Sequence, residues 1–198
     1  VFKPIVPGGQ ARVQRLCSPP HPPPREEKSV AELTVGKKAP SFTLQDTNDH
    51  RVSLKDDVRG HWTVLYFYPK DDTPGCTKEA CTFRDNIFAF EDMGAVVLGV
   101  SLDDVESHEA FAEKYSLPFS ILADSEQQAA TSYGVLMKIG PMTLAKRQSF
   151  LINPDGVIVK HYEKVNPDTH TEEVLADLRA EISAADKVDD TLEEAPES

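Results

Sequence analysis

The chain has 198 residues, room for one ordinary domain whose core needs no covalent staples, and a formal net charge of −12. Hydrophobic residues make up 39% and charged residues 27%, the balance of a globular, soluble middle. So acidic a chain argues against a nucleic-acid partner, which needs clustered Lys and Arg. With no apolar run approaching membrane-spanning length, no membrane helix is expected. Three cysteines, two of them five residues apart, do not make a secreted disulfide framework and point to chemistry instead.

Residues 1–30 stand apart. Val1 to Arg25 carries Lys3, Arg12, Arg15 and Arg25 with no acid, and Pro19 to Pro24 is nearly continuous proline. Such a segment cannot build a core and is expected to be disordered or polyproline-like. It is compatible with the remainder of an organelle transit peptide and equally with an incidental extension, since Ser is scarce. Cys17 within it reads as an incidental exposed thiol. A domain is expected over 31–183, and 184–198, rich in Asp and Glu, reads as a disordered acidic tail.

Within the domain, Ser41–Leu44 and Arg51–Leu54 alternate around Asp46–Asp49, an N-terminal β-hairpin pattern. Trp62–Tyr68 and Ala95–Leu102 are near-continuous apolar runs, as in strands covered on both faces. Between them, an amphipathic helical segment runs on through Thr82–Phe90. Asp103 or Asp104 caps a helix through Tyr115, Phe119–Leu122 reads as a further central strand, and Glu126–Tyr133 as a short helix ended by Gly134. Arg147–Ile152 and Val157–Tyr162 flank Asn153-Pro-Asp-Gly156, the clearest hairpin in the chain. Asp168 or Thr169 caps a last helix through Ile182. The order β-α-β-α-β, then β-β-α, is the thioredoxin pattern: an α/β fold with a mixed central sheet and helices on both faces.

The stretch Tyr68-Pro-Lys-Asp-Asp-Thr-Pro-Gly-Cys-Thr-Lys-Glu-Ala-Cys81 carries the chemistry. It puts Cys76 at a strand-to-helix junction, in the first helical turn, where unpaired backbone N–H groups and the positive dipole end favour an anion. Thiols in such places ionise more readily, and the thiolate is the nucleophile. Thr73, three residues earlier, reads equally well as an N-cap.

The segment Pro69-x-x-x-Thr73-x-x-Cys76 resembles the peroxiredoxin signature, and the longer string resembles the peroxiredoxin Q, or bacterioferritin comigratory protein, subfamily. The likeness runs from about Leu33 to Ile182. It includes Gly36-x-x-Ala39-Pro40-x-Phe42 at the start and Arg147-x-x-Phe150-Leu151-Ile152 near the end. The resemblance implies a thiol peroxidase acting on hydrogen peroxide and organic hydroperoxides, with no cofactor and electrons from thioredoxin or a similar thiol reductant. Cys76 would attack the peroxide. Thr73 would bond the sulfur and the incoming oxygen, Pro69 would shield the thiolate, and Arg147 would stabilise it. Glu79 and Arg84 could form a network in the helix or be exposed surface charges. Cys81 would be the resolving cysteine. In an intact helix its Cα lies roughly 8.6 Å from that of Cys76, beyond the ~7 Å that a disulfide can bridge, so the helix must unwind to join them. The resemblance also favours a monomer, in the bacterial cytoplasm or alternatively a plastid.

Three rival readings are weighed. A thioredoxin-type disulfide oxidoreductase would carry Cys-x-x-Cys, where this chain has four residues between the cysteines. A zinc-binding module lacks a second ligand pair at finger spacing, since His50, His61, His108 and His161 fall in unrelated segments. A redox-regulated holdase or signalling protein on the same fold is the third.

Overall fold

The computed structural model describes residues 35–193, so the proline-rich segment with Cys17 lies outside the described residues. Strands β1 (Thr43–Asp46) and β2 (Arg51–Ser53) form the first hairpin, with Leu44 opposite Val52. Asp46 builds its turn by accepting the amides of Asn48 and His50. Next come β3 (Trp62–Phe67), α1 (Pro74–Asp85), α2 (Ile87–Glu91), β4 (Ala95–Ser101), α3 (Val105–Tyr115) and β5 (Ser120–Ala123). After α4 (Gln128–Ser132) follow β6 (Leu136–Ile139), β7 (Met142–Ala145), β8 (Gln148–Ile152), β9 (Ile158–Tyr162) and α5 (His170–Glu193).

Seven strands make one sheet in the order β2-β1-β5-β4-β3-β8-β9. β3, β4 and β5 run parallel, and β8 lies antiparallel to β3 with Leu65 opposite Phe150. The mixed sheet is the one expected. The N-terminal hairpin is not an appendage to it, however: β1 pairs antiparallel with β5 and becomes part of the sheet edge.

Strand alternation divides the core in two. Leu65 and Phe67 of β3, Leu98 and Val100 of β4, and Phe150 and Ile152 of β8 face α4 and the first hairpin. Val64, Tyr66, Val97 and Leu151 point the other way, against α1, α2, α3 and α5. The period-two placement of side chains makes near-continuous apolar runs the signature of such strands. Helices therefore cover both faces, but among the described residues four lie on one side and only α4 on the other.

Three local differences from the sequence reading have physical causes. The helix through Cys76 does not continue to Phe90: it ends at Asn86, whose side-chain amide donates to the Thr82 carbonyl and whose backbone leaves the helical region. The β6–β7 hairpin is not marked in the sequence by clean alternation of its strands. Its turn uses Gly140 at φ 59 followed by Pro141, a local signal that was available. Finally, α5 continues to Glu193, so 184–193 is helix rather than disordered tail. From His170 to Glu193 the chain holds no Gly or Pro and many good helix formers, and propensity outweighs the acidic charge.

Candidate active site

The chain leaves β3 at Phe67 and turns through 68–73 before α1 begins. Thr73 is extended, at φ −90 and ψ 148, and occupies the N-cap position. Pro74 takes the first helical position, where its missing N–H is no loss and its fixed φ suits the helix. Cys76 is then the third residue of α1, at the positive end of the helix dipole, and only 2% exposed. The amides of Gly75 and Cys76 have no intrahelical partner at that position.

Arg147 lies between the β6–β7 hairpin and β8, beside the end of β3, where Gln148 pairs with Phe67. The Lys146 amide bonds the Val135 carbonyl at 2.6 Å, tying down the approach to Arg147. One guanidinium nitrogen, Nη2, donates to Cys76 Sγ at 3.1 Å. The other, Nη1, donates to Glu79 Oε2. The fork thus spans an anion-forming thiol and a carboxylate at once, the geometry for which Arg is suited and Lys is not. Gly75 leaves room for the approach, since a Cβ there would stand 3.1 Å from Arg147 Nη2, tighter than ordinary contact.

Glu79 proves to be part of this centre rather than an exposed charge. It lies one turn beyond Cys76 on the same helix face, is 0% exposed, and leaves Oε1 without a hydrogen bond. Burial pushes its carboxyl up to about 7, with Arg147 pulling in the opposite direction. Burial works against the Arg147 charge, yet Glu79 and Cys76 outweigh it and hold the guanidinium above its ordinary range. The i, i+3 spacing of Cys76 and Glu79 was the signal that could have found this pair.

Arg84 is not in that network. It donates to the Tyr115 carbonyl at 2.8 Å and pairs with Asp85 at 2.7 Å. Lys78 is a surface residue, 3.5 Å from Asp168. The Thr73 hydroxyl donates to the Lys70 carbonyl at 3.1 Å, so its hydrogen does not go to the Cys76 sulfur, and its oxygen accepts no helix amide. Its oxygen keeps its acceptor capacity. Pro69 is half-buried in the same loop. Cys81 is half-buried in the middle of α1, and both cysteines are free thiols.

Behind the centre, His170 at the start of α5 is fully buried and shares a 2.8 Å hydrogen bond with Ser149 Oγ of β8. Burial, then the nearby Arg147 charge, pushes the imidazole down to about 4. Between the ordinary value near 6.5 and about 4, the unfolded chain takes up a proton that the folded protein refuses, so this group makes stability fall as the pH falls. His170→Gln, which cannot titrate, should remove that contribution. The check is the urea midpoint at pH 7 and pH 4.5: the drop should be smaller in the variant, and an equal drop would disprove the reading. Glu79 acts in the opposite direction over part of this window, but in both proteins alike.

The chain is similar to known proteins in sequence and in fold. Residues 35–161 match the AhpC/TSA family. The chain is 42% identical over 151 residues to the peroxiredoxin Bcp of Bacillus subtilis, covering 74% of this chain and 96% of that one. It is 40% identical over 162 residues to the chloroplastic peroxiredoxin Q of Sedum lineare, covering 81% of this chain and 86% of the relative. Among solved structures, a cysteine-to-serine variant of Xylella fastidiosa PrxQ superimposes with a TM-score of 0.72 at 32% identity, over 77% of this chain and 99% of that one. The chain therefore belongs to the AhpC/TSA family and, within it, is a thiol-dependent peroxidase of the Bcp and peroxiredoxin Q kind.

Proposed function

We propose that Cys76 is the nucleophile that reduces hydrogen peroxide and organic hydroperoxides, and that Cys81 resolves the product within the same chain. The observation that carries this reading is the 3.1 Å contact of Arg147 Nη2 with Cys76 Sγ at the first turn of α1. The thiolate attacks the terminal peroxide oxygen. An S–O bond forms, the O–O bond breaks, and the leaving alkoxide or hydroxide takes a proton to become alcohol or water. Cys76 is then a sulfenic acid, oxidised by two electrons. The Cys81 thiol attacks that sulfur and expels water, and a dithiol reductant such as thioredoxin restores both thiols.

Arg147 stabilises the thiolate before attack and the negative charge on the departing oxygen during it. Glu79 holds the guanidinium over the sulfur. With its hydrogen given to Lys70, the Thr73 oxygen accepts a hydrogen bond from the peroxide O–H and orients it for in-line attack. Pro69, without an N–H, keeps a competing donor away from the sulfur. No cofactor enters the scheme, because the cysteines carry both electrons. We read the protein as a monomer of the bacterial cytoplasm, with a plastid as the alternative; the Sedum lineare relative is chloroplastic. Size-exclusion chromatography with light scattering tests the monomer, and NADPH-coupled peroxide consumption with and without thioredoxin tests the reductant.

Two substitutions probe the Arg147 contact. Arg147→Ala should keep the fold and slow sulfenic acid formation by roughly 10²–10³-fold, the loss found on removing one oxyanion donor. Stopped-flow fluorescence of Trp62 on mixing with peroxide would measure it, and an unchanged rate would remove Arg147 from the chemistry. Gly75→Ala should slow the same step less, since the added methyl must push the guanidinium only a few tenths of an ångström. A rate equal to wild type would mean that Arg147 adjusts freely.

A further inference from the structure

The loop 68–73 is held by α3 and the turn before it as well as by its own hydrogen bonds. Three consecutive residues, Lys70, Asp71 and Asp72, each bind α3 or the turn that precedes it. Lys70 Nζ pairs with Asp103 at 2.9 Å, and the Asp71 amide donates to the other oxygen of the same carboxylate at 2.9 Å. Asp72, at φ 53 in the left-handed region, is bound by Lys114 at 2.6 Å and by the Tyr115 hydroxyl. A non-glycine residue there is uncommon and is sustained by its surroundings.

The centre of this attachment is buried. The Asp71 carboxylate accepts the Tyr68 hydroxyl at 2.6 Å on Oδ1, and the Ser107 hydroxyl at 2.7 Å on Oδ2. His108 Nδ1 lies 2.7 Å from the same Oδ2. Asp71 is 7% exposed and His108 0%, and His108 Nε2 has no partner. A carboxylate in such a place is stable only with its donors supplied, and removing one leaves the buried charge with a donor fewer. The imidazole is therefore read with its proton on Nδ1, donated to Asp71. One residue before Asp71 is the Lys70 carbonyl, the acceptor that fixes the Thr73 hydroxyl.

Resting on the reading of Cys76 and Thr73 given above, we propose that His108 and Asp71 are positioning residues for peroxide reduction: from α3 they set the Lys70 carbonyl, and through it the Thr73 oxygen that orients the peroxide. Neither touches the reacting atoms. They act on the geometry of the attack, and not on the thiolate, which Arg147 and the helix start govern.

The two effects separate kinetically. Peroxide reduction needs both the thiolate and the oriented peroxide, whereas alkylation by iodoacetamide needs only the thiolate. His108→Ala should lower the rate constant for peroxide by about tenfold to a hundredfold, as small misplacements do, while leaving the iodoacetamide rate constant unchanged. His108→Asn, which keeps a donor near the Nδ1 position, should restore most of the loss. In a Thr73→Val background the His108→Ala substitution should have little further effect, because the two act through one contact. Tyr68→Phe removes the donor on the other carboxylate oxygen with little change in packing, and should show the same selective loss if His108→Ala does not fold.

Equal loss of both rate constants would overturn the proposal, as would additive effects of Thr73→Val and His108→Ala, or a folded His108→Ala with wild-type peroxide kinetics. The wild-type protein controls for the underlying reading. If Cys76 did not react with peroxide at all, the fault would appear before any variant was made.

Discussion

Cys76→Ser should abolish peroxide consumption while leaving the fold and melting temperature close to those of the wild type. Serine fills nearly the same volume in a site that is 2% exposed, so packing is preserved. What disappears is the anion. A hydroxyl does not ionise near neutral pH, even at a helix start beside a guanidinium, and its oxygen cannot pass to a sulfenic acid. Arg147 would still bridge to Glu79, so the loss would not come from collapse of the surrounding charges. The measurement is peroxide consumed per protein in a coupled assay, paired with intact mass after one equivalent of peroxide. The wild type should give either a 16 Da gain or, after resolution, a loss of about 2 Da, whereas the variant should show neither. Retention of even about a tenth of the wild-type turnover would assign the nucleophile elsewhere, because no partial nucleophilicity of that size is available to an alcohol at this site.

Much of this site could be read along the chain because its key residues are close in sequence. Strand, loop and helix start occupy Trp62 to Cys81, and a run of apolar residues followed by Pro, Thr, Pro and Gly prescribes the junction locally. Arg147 could be named only through the family pattern. Its approach depends on β8 pairing beside β3 and on the β6–β7 hairpin delivering it, and neither leaves a mark near Arg147 itself. Glu79 and Arg84 show the limit more clearly. Both are charged residues in one helix, and composition gives no reason to prefer either. The fold turns Glu79 inward onto Arg147 and Arg84 outward onto the Tyr115 carbonyl. The Asp71–His108 pair lies 37 residues apart and required the parallel crossover through α3 to become visible.

The free energy of the site is distributed in keeping with that geometry. A carboxylate, a thiol and a guanidinium share a pocket largely closed to water, so any one removed leaves another poorly paired. The same arrangement makes the reduced helix a condition for catalysis. Sγ of Cys76 meets Arg147 only while the first turn of α1 is wound.

Oxidation should undo that turn. Cys76 and Cys81 lie in one continuous helix, where five residues separate their Cα atoms by roughly 8.6 Å; a disulfide needs them within ~7 Å. Joining them therefore requires α1 to open over its first two turns. The contacts at stake are Arg147 with Cys76, Lys78 with Asp168 at 3.5 Å, and, just beyond the opening turns, the 2.9 Å hydrogen bond from Thr171 to Thr82 that docks α5 on α1. The Lys78–Asp168 pair is exposed and contributes little, whereas Thr171, 2% exposed, and the Arg147 contact with Cys76 hold the inner face of the helix. Peroxide should convert the wild type to a monomeric species about 2 Da lighter. Amides from Thr77 to about Arg84 should lose hydrogen-exchange protection, while those of β3 should keep theirs. Cys81→Ser should still react once, then stop at the sulfenic acid or proceed to over-oxidised forms unless an external thiol intervenes. Peptide mapping gives the decisive outcome. A Cys76–Cys81 linkage in the oxidised wild type supports the switch, and a dominant Cys76–Cys17 or interchain bridge would sink it and place resolution outside α1.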